Sequence, residues 1–174
     1  MKILDGKTHG GEMMDFNFLG FDENLLLEIS NELSSVVNSG FWSGGPYISK
    51  LENEFNKIYN LNCASCSSGG MALELVANAF PEIKSIAIQS NTYFATALPW
   101  INRNKEIILI GTEKESLTPS LEYVKDCVKI GVDAIILTHI GGYPIPDIEE
   151  ISNYCKSNGV LLIEDCAHSP LTKI

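Results

Sequence analysis

The stretch Glu164-Asp165-Cys166-Ala167-His168 carries residues whose types and spacing suit chemistry on a bound ligand. Two carboxylates end an apolar run, and a histidine follows three positions after the second carboxylate. A carboxylate at the carboxyl end of a buried strand lies where open α/β sheets bind ligands. At ~4 Å and an effective dielectric constant near 20, Asp165 would stabilise a protonated ring nitrogen by roughly 4 kcal/mol, or about three pK units. Asp165 is therefore a candidate partner for a cationic heteroaromatic ring, and the alternative is that it only caps the next turn.

A second candidate stretch, Ser67-Ser68-Gly69-Gly70, precedes a helical pattern. Glycines let backbone N–H groups approach a ligand closely, and the N-terminus of a helix favours an anion. These residues predict a phosphate-binding turn, although a helix cap with a tight turn would use the same residue types. The stretch is not a Walker motif, because no lysine follows the glycines, and its glycine spacing differs from the dinucleotide-binding fingerprint.

Aromatic, histidine and cysteine residues supply weaker candidates. Tyr93 follows a predicted strand, where its ring can stack on a flat ligand or simply belong to the core. His168 can reach the same ligand from another side, and His139 is a weaker candidate for a ligand contact. Cys63 and Cys66 have C-x-x-C spacing, but they neither clearly open a helix nor have a second pair, so we expect no redox or zinc site there.

The elements that must position these residues alternate between strand and helix. Strands are predicted over 61–65 (weakly), 86–88, 106–110, 133–138 and 160–165, the last buried on both faces, and helices over 70–80, 94–101, 120–128 and 148–157. This alternation predicts an α/β fold with a mainly parallel sheet flanked by helices. Because the carboxyl ends of parallel strands meet at one edge, the candidate residues are expected to cluster there.

The first sixty residues follow a different pattern. Residues 1–20 show no sustained period and are expected to form an irregular N-terminal arm. A helix is predicted from an N-cap at Asp22 to a stop at Gly40, and a second helix from Pro46. We therefore expect residues 21–174 to form one incomplete domain after the arm.

Composition narrows the class of protein. The chain has 174 residues, 45% of them hydrophobic, and a formal net charge of −10. This charge argues against a nucleic-acid or anionic-membrane surface. No apolar run is long enough to span a membrane, and the N-terminus lacks a secretory signal pattern. Five cysteines, an odd number, favour reduced thiols and a cytoplasmic location.

Five motifs in order resemble the N-terminal half of the DegT/StrS-type nucleotide-sugar aminotransferases, which are fold-type I enzymes dependent on pyridoxal 5'-phosphate (PLP). The resemblance covers roughly residues 20–170. The motifs are Ser43-Gly44-Gly45-Pro46, Ser68-Gly69-Gly70-Met71-Ala72-Leu73, Asn91-Thr92-Tyr93-Phe94-Ala95-Thr96, His139-Ile140-Gly141-Gly142-Tyr143-Pro144 and Glu164-Asp165-Cys166-Ala167-His168.

The resemblance implies a role for each candidate residue. Ser68 to Met71 would hold the cofactor phosphate, Tyr93 would stack on the pyridine ring, Asp165 would pair with the ring nitrogen, and His168 would lie near the ring hydroxyl. The implied reaction moves an amino group from glutamate to a keto sugar carried on a nucleoside diphosphate, for amino-sugar and polysaccharide biosynthesis. Family members are dimers, so a homodimer or a complementary C-terminal half is the expected partner.

The chain departs from the family pattern in two ways. Gly70 stands where the family commonly has threonine, so one hydroxyl toward the phosphate is missing. The Schiff-base lysine is expected beyond the Asp165–His168 turn, and Lys173 is too close to that turn to fill the role. With the lysine and the C-terminal small domain absent, the chain is expected to be inactive alone. Two alternatives are a non-catalytic subunit that binds PLP or a nucleotide sugar, and a PLP-dependent sugar dehydratase that uses no lysine.

Overall fold

A computed structural model describes residues 22–172, which belong to two compact units. One unit is Met1–Ser65 and the other is Cys66–Ile174. The predicted arm over residues 1–20 lies outside the described residues, and the single domain over 21–174 stays a prediction. Within the described residues, every helix is too short or too polar to cross a membrane.

The first unit contains two helices, α1 (Glu23–Ser39) and α2 (Pro46–Tyr59). The carboxylate of Asp22 accepts a hydrogen bond of 2.9 Å from the backbone N–H of Leu25, which caps the start of α1. Gly40 ends α1 with a φ of 73°, a left-handed conformation that glycine adopts without strain. Proline occupies the first position of α2. The predicted helix starts and the predicted stop are therefore confirmed.

The segment that follows α2 differs from the sequence prediction. Residues 61–65 form no strand, so the weak strand predicted there is wrong. The backbone N–H of Cys63 donates to Asn56 Oδ1 at 2.5 Å, and that of Ser65 donates to Glu52 Oε1 at 2.8 Å. Because side chains of α2 satisfy these donors, the segment needs no neighbouring strand.

The second unit is built around a four-stranded parallel sheet with strand order β2-β1-β3-β4. This arrangement confirms the predicted mainly parallel sheet flanked by helices. The elements in chain order are α3 (Gly69–Ala79), β1 (Ser85–Gln89), α4 (Leu98–Ile101), β2 (Glu106–Ile110), α5 (Leu121–Lys129), β3 (Ala134–Thr138), α6 (Ile148–Ser157) and β4 (Leu161–Asp165).

Two hydrophobic cores form from alternate residues of the strands. In β3, Ile135 and Leu137 join the core that also contains residues of α5 and α6. Ala134 and Ile136 join the other core, which contains Trp100 and residues of α3. All five residues of β3 are buried, as expected for a central strand covered on both faces.

The helix predicted over 94–101 is divided into two pieces. Residues Phe94–Thr96 form a 3-10 turn, and α4 starts two residues later. Pro99 has no N–H to donate, so it fits the first turn of α4 but not the middle of one continuous helix.

Strand β4 is less buried than the sequence pattern suggested. Its residues Leu161, Leu162 and Ile163 are partly exposed, whereas β3 is fully buried. In the described part of the chain, β4 pairs with β3 on one side only. Leu162 packs against one core and Leu161 and Ile163 against the other, so the expected burial of both faces is partial rather than complete.

Candidate functional site

A cavity of about 500 Å³ lies at the carboxyl edge of the sheet, where the sequence predicted a site. Six of the seven predicted site residues line it: Ser68, Gly69, Gly70, Tyr93, Asp165 and His168. Met71 does not line it, although its backbone N–H helps to cap the adjoining helix. The volume is in the usual range of small-molecule pockets, about 300 to 1,000 Å³.

One wall of the cavity is the N-terminus of α3. Ser68 has extended backbone angles, and its hydroxyl accepts a hydrogen bond of 3.2 Å from the N–H of Met71. The first backbone bond of the helix runs from Ala72 N to Ser68 O at 3.0 Å. Within residues 22–172, the N–H groups of Gly69 and Gly70 have no acceptor, and they lie at the positive end of the helix dipole. This end of the helix is suited to bind an anion.

The space around the two glycines at the start of α3 would accommodate a larger residue. A Cβ added at Gly70 would lie 3.6 Å from Cβ of Ala95, and one added at Gly69 would lie 4.0 Å from Cβ of Ala167. Both are ordinary van der Waals distances. Crowding therefore does not require glycine at either position.

Asp165 ends β4 with its side chain in the cavity. It pairs in register with Thr138, so the two side chains share one face of the sheet, and both line the cavity. The Oδ1 atom accepts a hydrogen bond of 3.1 Å from the N–H of Ala167, and Oδ2 has no hydrogen-bond partner among the described residues. Among the described residues that line the cavity, Asp165 is the only aspartate, glutamate, lysine or arginine. The free oxygen of Asp165 is thus available to a cationic ligand group.

Tyr93 provides an aromatic wall. Its side chain is 65% exposed, which excludes the alternative that it belongs to the core. Its ring lies 4.3 Å from the ring of Phe94 at an interplanar angle of 52°. The pair offers an exposed aromatic surface on which a flat ring can stack.

His168 lines the same cavity as Asp165, and one nitrogen of its ring already accepts a hydrogen bond. Its Nδ1 accepts a hydrogen bond of 3.0 Å from the backbone N–H of Gly141. A neutral imidazole carries one N–H, so the accepting role of Nδ1 places the proton on Nε2. His168 therefore offers a donor to a ligand.

Sequence reasoning missed a buried polar network behind the cavity. Thr92 Oγ1 lies 2.7 Å from Thr138 Oγ1 and 3.0 Å from Thr96 Oγ1. Gln89, which is fully buried, accepts from the N–H of Thr138 at 3.1 Å and donates to Asn91 Oδ1 at 2.7 Å. The signal was present in the sequence, because Gln89 and Thr138 are polar residues that end otherwise apolar strands.

His139 is not part of the cavity. Residues 139 and 164 are offset by one position from the pair Thr138 and Asp165, so they lie on the other face of the sheet. The ring of His139 is buried, and its Nε2 lies 3.2 Å from Glu164 Oε2.

His139, Glu164 and Cys166 place ligand atoms within 4.8 Å of one another, a spacing compatible with a metal ion. However, His139 Nδ1 accepts the N–H of Ile145 at 3.0 Å. The ring proton must then be on Nε2, where it is donated to Glu164. No lone pair remains on the ring for a metal, so this group is a structural hydrogen-bond cluster.

The sheet and its flanking helices define a parallel α/β domain with a cavity at the carboxyl edge, and comparison with known proteins identifies its family. Residues 25–173 match the profile of the DegT/DnrJ/EryC1/StrS aminotransferase family. The chain belongs to this family, which confirms the resemblance seen in its motifs.

A relative with 30% identity agrees with this assignment, and solved structures share the fold. The chain is 30% identical over 141 residues to GDP-perosamine synthase from Vibrio cholerae, a match that covers 79% of this chain and 38% of the relative. The fold is similar to that of the aminotransferase TlmJ from Streptoalloteichus hindustanus, with a TM-score of 0.78 and 21% identity over 89% of this chain and 42% of that one. It is also similar to GDP-4-keto-6-deoxy-D-mannose-3-dehydratase from E. coli, solved with hydrated PLP, with a TM-score of 0.71 and 23% identity over 83% and 38%. The chain thus spans about two fifths of the length of these proteins.

Proposed function

We propose that the cavity at the carboxyl edge binds pyridoxal 5'-phosphate, and that the chain is the cofactor-binding part of a nucleotide-sugar aminotransferase. The observation that carries the proposal is the convergence of four groups on one cavity: the start of α3 with two free backbone N–H groups, an exposed tyrosine, a carboxylate with a free oxygen and a histidine N–H. PLP presents a phosphate, a flat ring, a basic ring nitrogen and a ring oxygen. The donor set of the cavity matches these four features.

The phosphate end of the proposed site is the start of α3. The N–H groups of Gly69 and Gly70 would donate to phosphate oxygens, and the helix dipole would add attraction. The Ser68 hydroxyl accepts from Met71 N through one lone pair and keeps its own proton free to donate. Because no lysine or arginine of the described residues lines the cavity, the helix end would supply most of the attraction in this chain.

The ring end of the proposed site lies between β4 and the loop after β1. The Asp165 carboxylate would hold a proton on the ring nitrogen, and Tyr93 would stack on the ring face. The His168 N–H would donate to the ring oxygen. When bound, PLP supplies an electron sink whose strength depends on that protonated nitrogen. The proposed contribution of these residues is to orient the ring and to keep the nitrogen charged.

The proposed reaction is transfer of an amino group from glutamate to a keto sugar on a nucleoside diphosphate. It is supported by the family and by the similarity to a GDP-perosamine synthase. No lysine of the described residues lines the cavity, so we assign cofactor binding rather than covalent catalysis to these side chains. Partner subunits, the amino donor and the sugar site remain part of the proposal because the chain spans 38% of that relative.

The central test is a PLP titration of the 174-residue chain in which equilibrium dialysis measures the dissociation constant. Asp165→Asn keeps the shape of the side chain and removes its charge. A hydrogen bond to a charged group is worth about 1.5 to 3 kcal/mol, so we expect the dissociation constant to rise about 10- to 100-fold. Asp133→Asn, at the opposite edge of the sheet, is the matched control and should bind PLP like the wild type.

Two outcomes would contradict the assignment. Equal affinity of wild type and Asp165→Asn would remove the ring-nitrogen role. Equal affinity for PLP and for pyridoxal, which lacks the phosphate, would remove the role of the start of α3. Saturation-transfer NMR with a GDP-linked hexose then tests the substrate class. We expect saturation to pass from the PLP-loaded chain to the protons of the hexose.

A further inference from the structure

We infer that the turn Gly141–Gly142 is a positioning element that fixes the orientation and tautomer of His168, so that its Nε2–H points to the ligand. The inference rests on the proposed function only in naming the ring oxygen of PLP as the acceptor. The fixed tautomer itself is a property of the chain without any ligand.

The first contact that carries the inference is a hydrogen bond from the turn to the histidine. The backbone N–H of Gly141 donates to Nδ1 of His168 at 3.0 Å. This bond occupies the lone pair of Nδ1 and leaves the ring proton on Nε2. Within residues 22–172, Nε2 has no hydrogen-bond partner, and His168 lines the cavity.

The second contact is a close approach of two backbone segments. A Cβ added at Gly142 would lie 3.0 Å from the carbonyl oxygen of His168, and Gly142 has a φ of +83°. A side chain at this position would therefore push on the backbone of His168 and also occupy a left-handed conformation. Glycine is the residue that allows the turn to lie directly against the histidine.

The turn is itself held in place from both sides. Gly142 N donates to His139 O, and Tyr143 N donates to Ile140 O, each at 3.2 Å. The N–H of His139 donates to Asp165 O at 3.1 Å, which connects the start of the turn to the strand that carries the cavity carboxylate. Hydrogen bonds from backbone N–H groups of the segment 139–141 therefore reach both Asp165 and His168.

A fixed tautomer has a direct consequence for binding. With Nε2 protonated, the histidine donates to an oxygen that carries negative charge. With Nε2 unprotonated, its lone pair would face that oxygen and repel it. The turn thus selects the form of His168 that favours the proposed ligand.

The test is NMR of the uniformly ¹⁵N-labelled 174-residue chain without cofactor, at about pH 8, where an ordinary imidazole is neutral. We expect a through-hydrogen-bond coupling between the amide nitrogen of Gly141 and Nδ1 of His168, and a proton on Nε2. Gly142→Ala should abolish the coupling. The matched control is Gly131→Ala, because Gly131 has a similar φ of +88° but no atom within 4 Å of the added Cβ. The coupling should persist in this control.

A protonated Nδ1 in the wild type, or no coupling to it, would overturn the inference even if Gly142→Ala failed to fold. Persistence of the coupling in a folded Gly142→Ala variant would overturn the role of the close approach. The PLP arm separates the two proposals. Loss of one hydrogen bond to a charged oxygen should weaken PLP binding about 10- to 100-fold in Gly142→Ala and not in Gly131→Ala. If no form of the chain binds PLP while the coupling is present, the proposed function fails and the positioning role stands.

Discussion

The two edges of the sheet carry concave surfaces of similar size with different polar chemistry. The cavity at the carboxyl edge has a volume of about 500 Å³, and the one at the amino edge has a volume of about 560 Å³. Each contains one strand-end aspartate, Asp165 at the carboxyl edge and Asp133 at the amino edge. Volume alone would not distinguish them.

The aspartates differ in what they already bind. Asp133 Oδ2 accepts hydrogen bonds from Lys84 N at 2.7 Å, from Ser85 N at 3.0 Å and from Ser85 Oγ at 3.3 Å. Asp165 accepts one bond, from the turn that follows it. Asp133 therefore connects the starts of β1 and β3, whereas Asp165 keeps most of its capacity for a ligand. The free capacity of polar groups, rather than the size of the cavity, identifies the candidate site.

The largest effect on stability is expected at the amino edge. Asp133→Ala removes the acceptor for two backbone N–H groups, and we expect the free energy of unfolding to fall by about 1 to 2 kcal/mol. Urea denaturation measures this change. Asp165→Ala should change the free energy of unfolding by less than about 0.5 kcal/mol, because it removes one local bond. A larger loss from Asp165→Ala than from Asp133→Ala would reverse the comparison.

The difference in stability between the wild type and a variant without the Asp133 carboxylate should depend on pH. Hydrogen bonds from the N–H groups of Ser85 and Lys84 lower the pKa of Asp133 below its ordinary value. The ionised form is therefore favoured by folding, and its contribution is complete above the ordinary aspartate pKa of about 3.9. It is lost as the pH falls through the lower pKa of the folded state. The stability gap between wild type and Asp133→Asn should accordingly close in acid, and a constant gap down to about pH 2 would contradict the assignment.

The part of the fold that the sequence predicted is the part that local chemistry determines. Apolar runs such as Ala134–Thr138 predict a strand that is covered on both faces. Asp22, Gly40 and Pro46 are strong helix boundary residues. The strand predicted at 61–65 failed because its N–H groups found side-chain acceptors on α2, which a reading by segment does not anticipate.

Some residues of the candidate site could be predicted from the sequence, and others could not. Asp165 and Tyr93 could be selected because one ends a strand and the other follows a strand of a parallel sheet, and the glycine turn could be selected because its residue types precede a predicted helix. The threonine network could not, since Thr92 and Thr138 are 46 positions apart and meet only when β1 and β3 pair. The hydrogen-bonding roles of His139 and His168 could not be predicted from the sequence either. Each role depends on a backbone N–H that reaches Nδ1 across a turn.

Within the carboxyl edge, the hydroxyl of Thr138 belongs to the buried threonine network, which is distinct from the groups proposed to bind the ligand. Thr138→Val keeps the shape of the side chain and removes the hydroxyl that lies 2.7 Å from Thr92 Oγ1. We expect a loss of about 1 kcal/mol in the free energy of unfolding. Thr92→Val combined with Thr138→Val should cost less than the sum of the single changes, because the pair shares one bond. PLP affinity should change by less than about threefold, and a larger loss would place Thr138 in contact with the ligand.

The smallest expected effect is a gain at Gly70, the position where the family commonly has threonine. An added Cβ would lie 3.6 Å from Cβ of Ala95, so the substitution requires no movement of the backbone. Gly70→Ala should stabilise the fold by about 0.4 to 1 kcal/mol through the unfolded state and leave PLP affinity unchanged. Gly70→Thr adds a hydroxyl beside the proposed phosphate position, and we expect PLP to bind about threefold tighter than to the alanine variant. Dialysis of both variants isolates the hydroxyl from the backbone effect. Equal affinity of the two would mean that no phosphate lies at the start of α3, and the carboxyl edge would then resemble the amino edge more closely than its free polar groups indicate.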